Sequence, residues 1–227
     1  PYESWTGIRT ERAATCRVWF AGGQARVVRD ILVGLLLVRR QLLHQALLVM
    51  SLDSDLCDSI LAAWRTNARI TERLVDRLPP SVYSAQIPGS PHRTVRMIAG
   101  HLHNSRCMWL RTLGKPHGLS VPPAVDRRTV TRRDLLRALR QSAKGILDLL
   151  SFACDRGGRV PPTSAYAWRN LALDVGHVLT YFVAHEAHHR GQLILVARQL
   201  GCPLPTSDSS DLWQWRPPAA GRPVRRR

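Results

Sequence analysis

The sequence predicts an all-α protein built on a four-helix bundle. Four stretches of roughly 20–30 residues carry apolar residues at helical spacing, and connections rich in Pro and Gly separate them. No stretch shows sustained apolar–polar alternation with β-branched enrichment, so strands find no support. With 227 residues, 44 % of them hydrophobic, the chain can bury the core of one domain and carry extensions besides.

The elements follow in order. Residues 1–49 hold Gly22-Gly23, scattered arginines and no clean period before Ile31, and the first methionine is Met50. The functional domain is expected to start near Met50. The preceding residues would be an extension, or upstream sequence that does not belong to the native protein. Asp53, Asp55 and Asp58 suit the N-terminus of a first helix, where the helix dipole favours negative charge. That helix ends at Pro79-Pro80. A second runs from about Thr94 to Leu113 and stops at Gly114. A proline-containing loop spans Lys115 to Asp126. Thr131 and Asp134 open a third helix, which reaches about Ala153. An irregular stretch, Cys154 to Trp168, leads to a fourth helix from about Leu171 to Leu200, ended by Gly201 and Pro203. Three segments result: 1–50, a poorly structured or partly helical N-terminal extension; 51–206, the bundle and metal-binding domain; and 207–227, a tail with tryptophans and arginines. After Pro205 the tail is expected to be mobile, apart from Leu212-Trp213-Gln214-Trp215.

The charge is lopsided. There are 33 basic against 16 acidic residues, a net +17. All but two of the basic residues are arginine, the exceptions being Lys115 and Lys144. An excess so one-sided can reflect a GC-rich coding sequence as easily as phosphate contacts. Arg65, Arg69, Arg73 and Arg77 make a basic stripe on the first helix. Glu72 and Asp76 interrupt it, so it reads as a solvated face. No helix-turn-helix, zinc finger or aromatic-interleaved basic ribbon is visible, and no specific nucleic-acid partner is expected. The five cysteines are widely spaced without C-x-x-C, which argues against a disulfide framework or a cysteine zinc site and for a reducing cytoplasm. The apolar run Ile31–Val49 has Arg39, Arg40, Gln41 and His44 at its middle. Such groups are costly in hydrocarbon, so no membrane association is expected.

The histidines carry the chemistry. At about 100° per residue, Val175, Val178, Phe182, Leu193, Val196 and Leu200 form one apolar stripe on the fourth helix. His185 and His189 fall inside it, whereas His177 and His188 lie off its edge. Residues four apart are neighbours on a helix face, so His185 and His189 can converge on one ion. On the second helix His101 lies inside the apolar arc and His103 on the far side. Three inward imidazoles from two helices suffice for a three-histidine metal site with an open position. Zinc, nickel, manganese or iron would all suit the ligands.

His185-Glu186-Ala187-His188-His189 also matches H-E-x-x-H, with Glu186 as general base of a metalloprotease. The longer form of that motif fails, because Gln192 and Leu195 stand where Gly and His are needed. Asp208 and Asp211 are the only downstream acids available as a further ligand. Glu186 and Arg190 are read as a surface or edge ion pair, and they remain the weak candidates for catalytic residues beside an otherwise unknown set. Cys107 lies opposite the site and is not cast as a nucleophile. Gly191 and Gln192 would serve close helix packing and hydrogen bonding to the ligands.

Residues from about Leu52 to Trp215 resemble the DinB/YfiT-like family of metal-dependent helical-bundle proteins. The resemblance is carried by Ala184-His185-Glu186-Ala187-His188-His189-Arg190-Gly191-Gln192, by Ala197-Arg198-Gln199-Leu200-Gly201 and by Leu212-Trp213-Gln214-Trp215. His101-Leu102-His103-Asn104-Ser105-Arg106-Cys107-Met108-Trp109 looks like the family's second-helix motif, and Val160-Pro161-Pro162-Thr163 is similar to its connection into the last helix. The resemblance implies a four-helix bundle with one divalent metal on His101, His185 and His189, and a homodimer. Some relatives transfer low-molecular-weight thiols.

The leading expectation is therefore a cytoplasmic metal-dependent enzyme acting on a small-molecule substrate. Its open metal position would activate water or a low-molecular-weight thiol for transfer or hydrolysis. The rival is a non-enzymatic stress-response protein whose metal is structural.

Overall fold

The computed structural model describes residues 9–166 and 170–215, with side chains described at 32–45, 55–166 and 170–215. The chain divides into two compact units, Pro1–Ser54 and Asp55–Arg227. Helix α1 runs Arg9–Arg77. It thus starts well before the predicted first helix, and Asp53, Asp55 and Asp58 lie inside it rather than at its N-terminus. In the first unit, the described side chains of residues 32–45 are exposed. Among the described residues no helix is long and apolar enough to cross a membrane.

The second unit holds the bundle. It is formed by α1 from Asp55 onward, α3 (Val95–Trp109), α4 (Arg132–Cys154) and α5 (Val175–Gln199). A short α2 (Pro80–Ser84) follows the Pro79-Pro80 stop. Next comes a small antiparallel hairpin of β1 (Gln86–Ile87) and β2 (Ser90–Thr94), turned at Gly89 with φ +72°. This hairpin corrects the all-helical expectation locally: its strands are too short to show alternation in sequence. Thr94 caps α3 by accepting from Met97 N, and Thr131 caps α4 by accepting from Asp134 N. Asp174 caps α5 in the same way through His177 N. Helix α3 passes into a π turn at Leu110–Gly114, close to the predicted end.

Two apolar clusters fill the bundle. One gathers Trp64, Trp109, Leu110, Ile146, Leu149 and Phe182; the other gathers Leu74, Leu78, Leu102, Leu139 and Leu193. Trp64 donates its indole N–H to the Ala143 carbonyl at 2.9 Å, tying α1 to α4. Gly145 of α4 packs closely on Leu110, at the end of α3: a Cβ there would lie 2.5 Å from Leu110 Cδ1, and that side chain would have to shift.

The tail is ordered further than expected. Helix α6 (Thr206–Asp211) lies along α1. Asp211 pairs with Arg73 at 2.7 Å, Asp208 with Arg77 at 3.8 Å, and the Gln214 carbonyl accepts from Arg69 at 2.6 Å. Three arginines of the supposed solvated stripe therefore seat the tail. The Arg222–Arg227 run and Trp168 lie outside the described residues.

Candidate metal centre

Helix α3 supplies His101, and α5 supplies His185 and His189. One ring nitrogen from each lies within 4.8 Å of the others, in an arrangement that could hold a metal ion. His101 Nε2 and His185 Nε2 are 3.3 Å apart. The three rings meet edge to face, with centroids 4.6–5.3 Å apart. Two imidazole nitrogens on one tetrahedral ion at ~2.0–2.1 Å stand about 3.3 Å from each other, so this spacing suits a shared ion. Facing lone pairs repel unless a proton or a cation lies between them. The donor set, three neutral nitrogens, fits a divalent transition ion.

Hydrogen bonds set the ring orientations. The Gln192 amide nitrogen lies 3.0 Å from His188 Nε2, which leaves Gln192 Oε1 to accept from His189 Nδ1 at 2.8 Å. The proton of His189 is thereby held on Nδ1, and its Nε2 keeps a lone pair. The His185 ring stacks on Tyr181, whose hydroxyl accepts from Trp109 Nε1 at 3.2 Å. The Gln192 expectation thus has a direct counterpart. Gly191 does not: a Cβ there would meet nothing within 4 Å, so it serves no close packing.

Burial lowers the pKa of all three imidazoles. His101 falls to about 4, through burial first and then the positive fields of His189, His185, Arg127 and Arg93. His185 and His189 are pushed down mainly by burial as well. All three are neutral at pH 7, the form in which imidazole binds a metal. The remaining histidines are elsewhere. His177 is exposed on Asp174, and His188 is exposed on Gln192. His103, expected on the far side, is fully buried against Ser142 Oγ and the Pro123 carbonyl, because α3 packs against α4 as well as α5.

Glu186 is the largest departure from expectation. It is not at a surface or edge but 1 % exposed, and its principal partner is Arg106 on α3 at 2.6 Å. Glu186 Oε2 accepts from Asn67 Nδ2 at 2.9 Å and from Thr71 Oγ1 at 2.7 Å. Arg190 sits 3.7 Å from Glu186 and donates to Asn67 Oδ1 and Thr71 Oγ1, both at 2.8 Å. Helix α5 thus has two covered faces, imidazoles toward α3 and a carboxylate among α1 and α3 partners. With both oxygens engaged, Glu186 is a bundle pin rather than a free base. Helical phase does not mark Arg106, Asn67 or Thr71 as partners of Glu186. The available signal was a polar i, i+4 pair, Asn67 and Thr71, set among the apolar residues of α1. Asp208 and Asp211, the acids a metalloprotease would need, are committed to Arg77 and Arg73.

Cysteine chemistry is muted. Cys107 lies 3.3 Å from His103 Nε2, yet burial pushes its thiol up to about 11. The Cys154 thiol is pushed up to about 12 by burial and by the neighbouring Cys57. Neither is a ready thiolate at pH 7.

The second unit is thus a four-helix bundle in which three neutral imidazoles converge from two helices, a group that could hold a metal ion. The profile of the DinB family matches residues 50–220, and the chain belongs to that family. A comparison with curated proteins found no match.

Proposed function

We propose that the chain is a divalent-metal-dependent enzyme that activates water or a low-molecular-weight thiol for transfer to, or hydrolysis of, a small molecule. The proposed ligands are His101, His185 and His189, and the proposed metal-binding domain is 51–206. The observation that supports this best is the 3.3 Å approach of His101 Nε2 to His185 Nε2, with His189 inside the same 4.8 Å cluster. A bound divalent ion supplies Lewis acidity that lowers the pKa of water or a thiol. The chain's own residues supply the rest. His189 is held in one tautomer by Gln192, and His185 is held in plane by Tyr181. Buried surroundings keep the ligands unprotonated. Cys57, Cys107, Cys154 and Cys202 are free thiols, in keeping with a proposed cytoplasmic setting. With Cys107 and Cys154 held as thiols, an external thiol is the better nucleophile.

The test is elemental analysis of purified protein. About one divalent ion per chain is expected in the wild type, and His185→Ala and His189→Ala should each abolish it. Metal retained in both variants would remove the reading. A thiol-transfer screen with an electrophilic acceptor, with and without chelator, separates an enzyme from a structural metal protein. Turnover that stops with chelator and returns with added ion supports the enzyme.

A further inference from the structure

Helices α3 and α4 begin at the same end of the bundle, and arginines crowd both starts. Arg96 is the second residue of α3, and Arg132 and Arg133 are the first two of α4. Arg96 and Arg132 each place a guanidinium 5.4 Å from the centre of the Tyr83 ring, so the two helix starts meet over one side chain. Arg96 also donates to the Arg128 carbonyl at 2.9 Å, and Arg132 to the Asp76 carbonyl at 3.3 Å. Arg127 and Arg128 lie in the turn that leads into α4, and this turn is fastened to α3. Asn104 brackets Val125 with two hydrogen bonds: its Nδ2 donates to the carbonyl at 3.0 Å and its Oδ1 accepts from the N–H at 2.9 Å. The stem of Arg127 lies on Gly100, where a Cβ would stand 3.1 Å from Arg127 Cγ.

These contacts fix the arginines without cancelling their charge. Arg96 and Arg132 are held by carbonyls and an aromatic ring, which position a guanidinium and leave it positive. Arg127, Arg128 and Arg133 are exposed. Among the described residues none of these five arginines is in an ion pair. The acids of this segment are engaged elsewhere: Asp126 accepts from Arg128 N and Thr129 Oγ1, each at 2.9 Å, and Asp134 accepts from Thr131 Oγ1 at 2.6 Å and pairs with Arg137 at 3.5 Å. Helix α3 has no acid in its first turn. A helix N-terminus carries roughly half a positive charge, so arginine in that turn has the unfavourable sign. Two such ends and five guanidiniums make a positive surface that only an anionic partner relieves. Its surroundings select the partner. Among the described residues the exposed large apolar side chains are Leu32–Leu43, Leu56, Leu195, Trp213 and Trp215, and none belongs to this surface. Seating on a lipid surface takes an apolar face beside the charge. Stacking of single-stranded bases takes an exposed Phe, Tyr or Trp ring. Tyr83 is 5 % exposed and already carries two guanidiniums.

We propose that Arg96, Arg127, Arg128, Arg132 and Arg133 form a docking surface for the phosphate backbone of a double-stranded nucleic acid, held without reading of its bases. Guanidinium forks match phosphate oxygens. Arginines already anchored on carbonyls and a ring lose little freedom when they bind. Contacts to phosphate carry no sequence information. Asn104, an amide on the same helix that could address a base edge, has both ends of its amide taken by Val125. A backbone-only grip needs no helix-turn-helix or finger, in keeping with their absence from the sequence.

The test is fluorescence anisotropy of a labelled 20-base-pair DNA duplex with the full-length protein, repeated over a range of salt concentrations. Five neutralised phosphates give a slope of about −4.5 in log affinity against log salt, at about 0.9 per phosphate. Arg128→Gln and Arg133→Gln are exposed changes that should leave the thermal midpoint in place, and each should flatten the slope by about 0.9 and weaken binding. Arg156→Gln, just beyond the other end of α4, should change neither. Arg128→Gln and Arg133→Gln variants that bind as the wild type does would overturn the surface. So would an equal loss in Arg156→Gln, which would trace binding to overall charge. Tighter binding to a single strand of the same length, or to phosphatidylglycerol vesicles through the same two arginines, would overturn the assignment to a duplex.

Discussion

Arg106 and Glu186 form an ion pair at 2.6 Å with both side chains 1 % exposed, and this pair ties α3 to α5. The guanidinium also lies over the Trp64 ring at 5.1 Å and donates to the Leu139 carbonyl at 2.9 Å, so one side chain reaches three helices. Removing one partner of a buried pair leaves the other charge unpaired, at a cost of about 3–5 kcal/mol. Glu186→Ala should lower the unfolding free energy by about that much in urea titrations. Glu186→Gln should cost less while retaining bound metal. A general base would behave differently: Glu186→Gln would then keep its stability and lose all turnover.

Gln192 links His188 to His189 and fixes the proton of His189 on Nδ1. Replacing it with Leu keeps the helix but frees the ring. Partners of this kind are worth roughly 10–100-fold in metal affinity. Gln192→Leu should therefore weaken metal binding by about that factor, as read by competition with a chromophoric chelator, with little change in thermal midpoint. An unchanged affinity would mean that packing alone orients His189.

The part of the centre legible in sequence was the part governed by helical phase. His101, His185 and His189 lie on apolar stripes, and about 100° per residue suffices to turn them inward. Phase fails where a helix has two buried faces. Phase alone puts both Glu186 and His103 on the outside of their helices. Each is buried because α5 also meets α1 and α3 also meets α4. The β1–β2 hairpin leaves no pattern in the sequence because its strands are shorter than the window in which alternation shows. The seating of α6 on Arg73 and Arg77 depends on pairs more than a hundred residues apart, for which local pattern holds no signal.

Acid should destabilise the metal-free protein before its carboxylates matter. A histidine whose folded pKa lies below its unfolded value of about 6.5 binds fewer protons in the native state than in the unfolded state. Stability is then lost as pH falls from about 6.5 toward the folded value, which is about 4 for His101. His103, His185 and His189 shift in the same direction. Asp126 and Asp174, whose pKa values are lowered, contribute stability that is lost only below the ordinary carboxylate range. Urea midpoints of chelator-treated protein should fall between pH 7 and pH 4.5, and His101→Leu should flatten the decline. A midpoint independent of pH over that range would contradict the neutral, buried state of the cluster.

Residues 1–49 should be dispensable for folding of the bundle and for the metal site. Both apolar clusters and all three histidines belong to the unit Asp55–Arg227, and the family match begins at residue 50. The described side chains of residues 32–45 are exposed. A chain starting at Met50 would place Asp53 and Asp55 in the first turn of the shortened α1. There the helix dipole rewards each acid by about 0.3–1 kcal/mol, which offsets part of the fraying at the new end. The truncated protein should be monodisperse, unfold cooperatively and carry the same metal content per chain as the full-length protein, as read by thermal denaturation and elemental analysis. Aggregation, or a folded but metal-free product, would show that the long N-terminal part of α1 is needed to hold the bundle in its binding form.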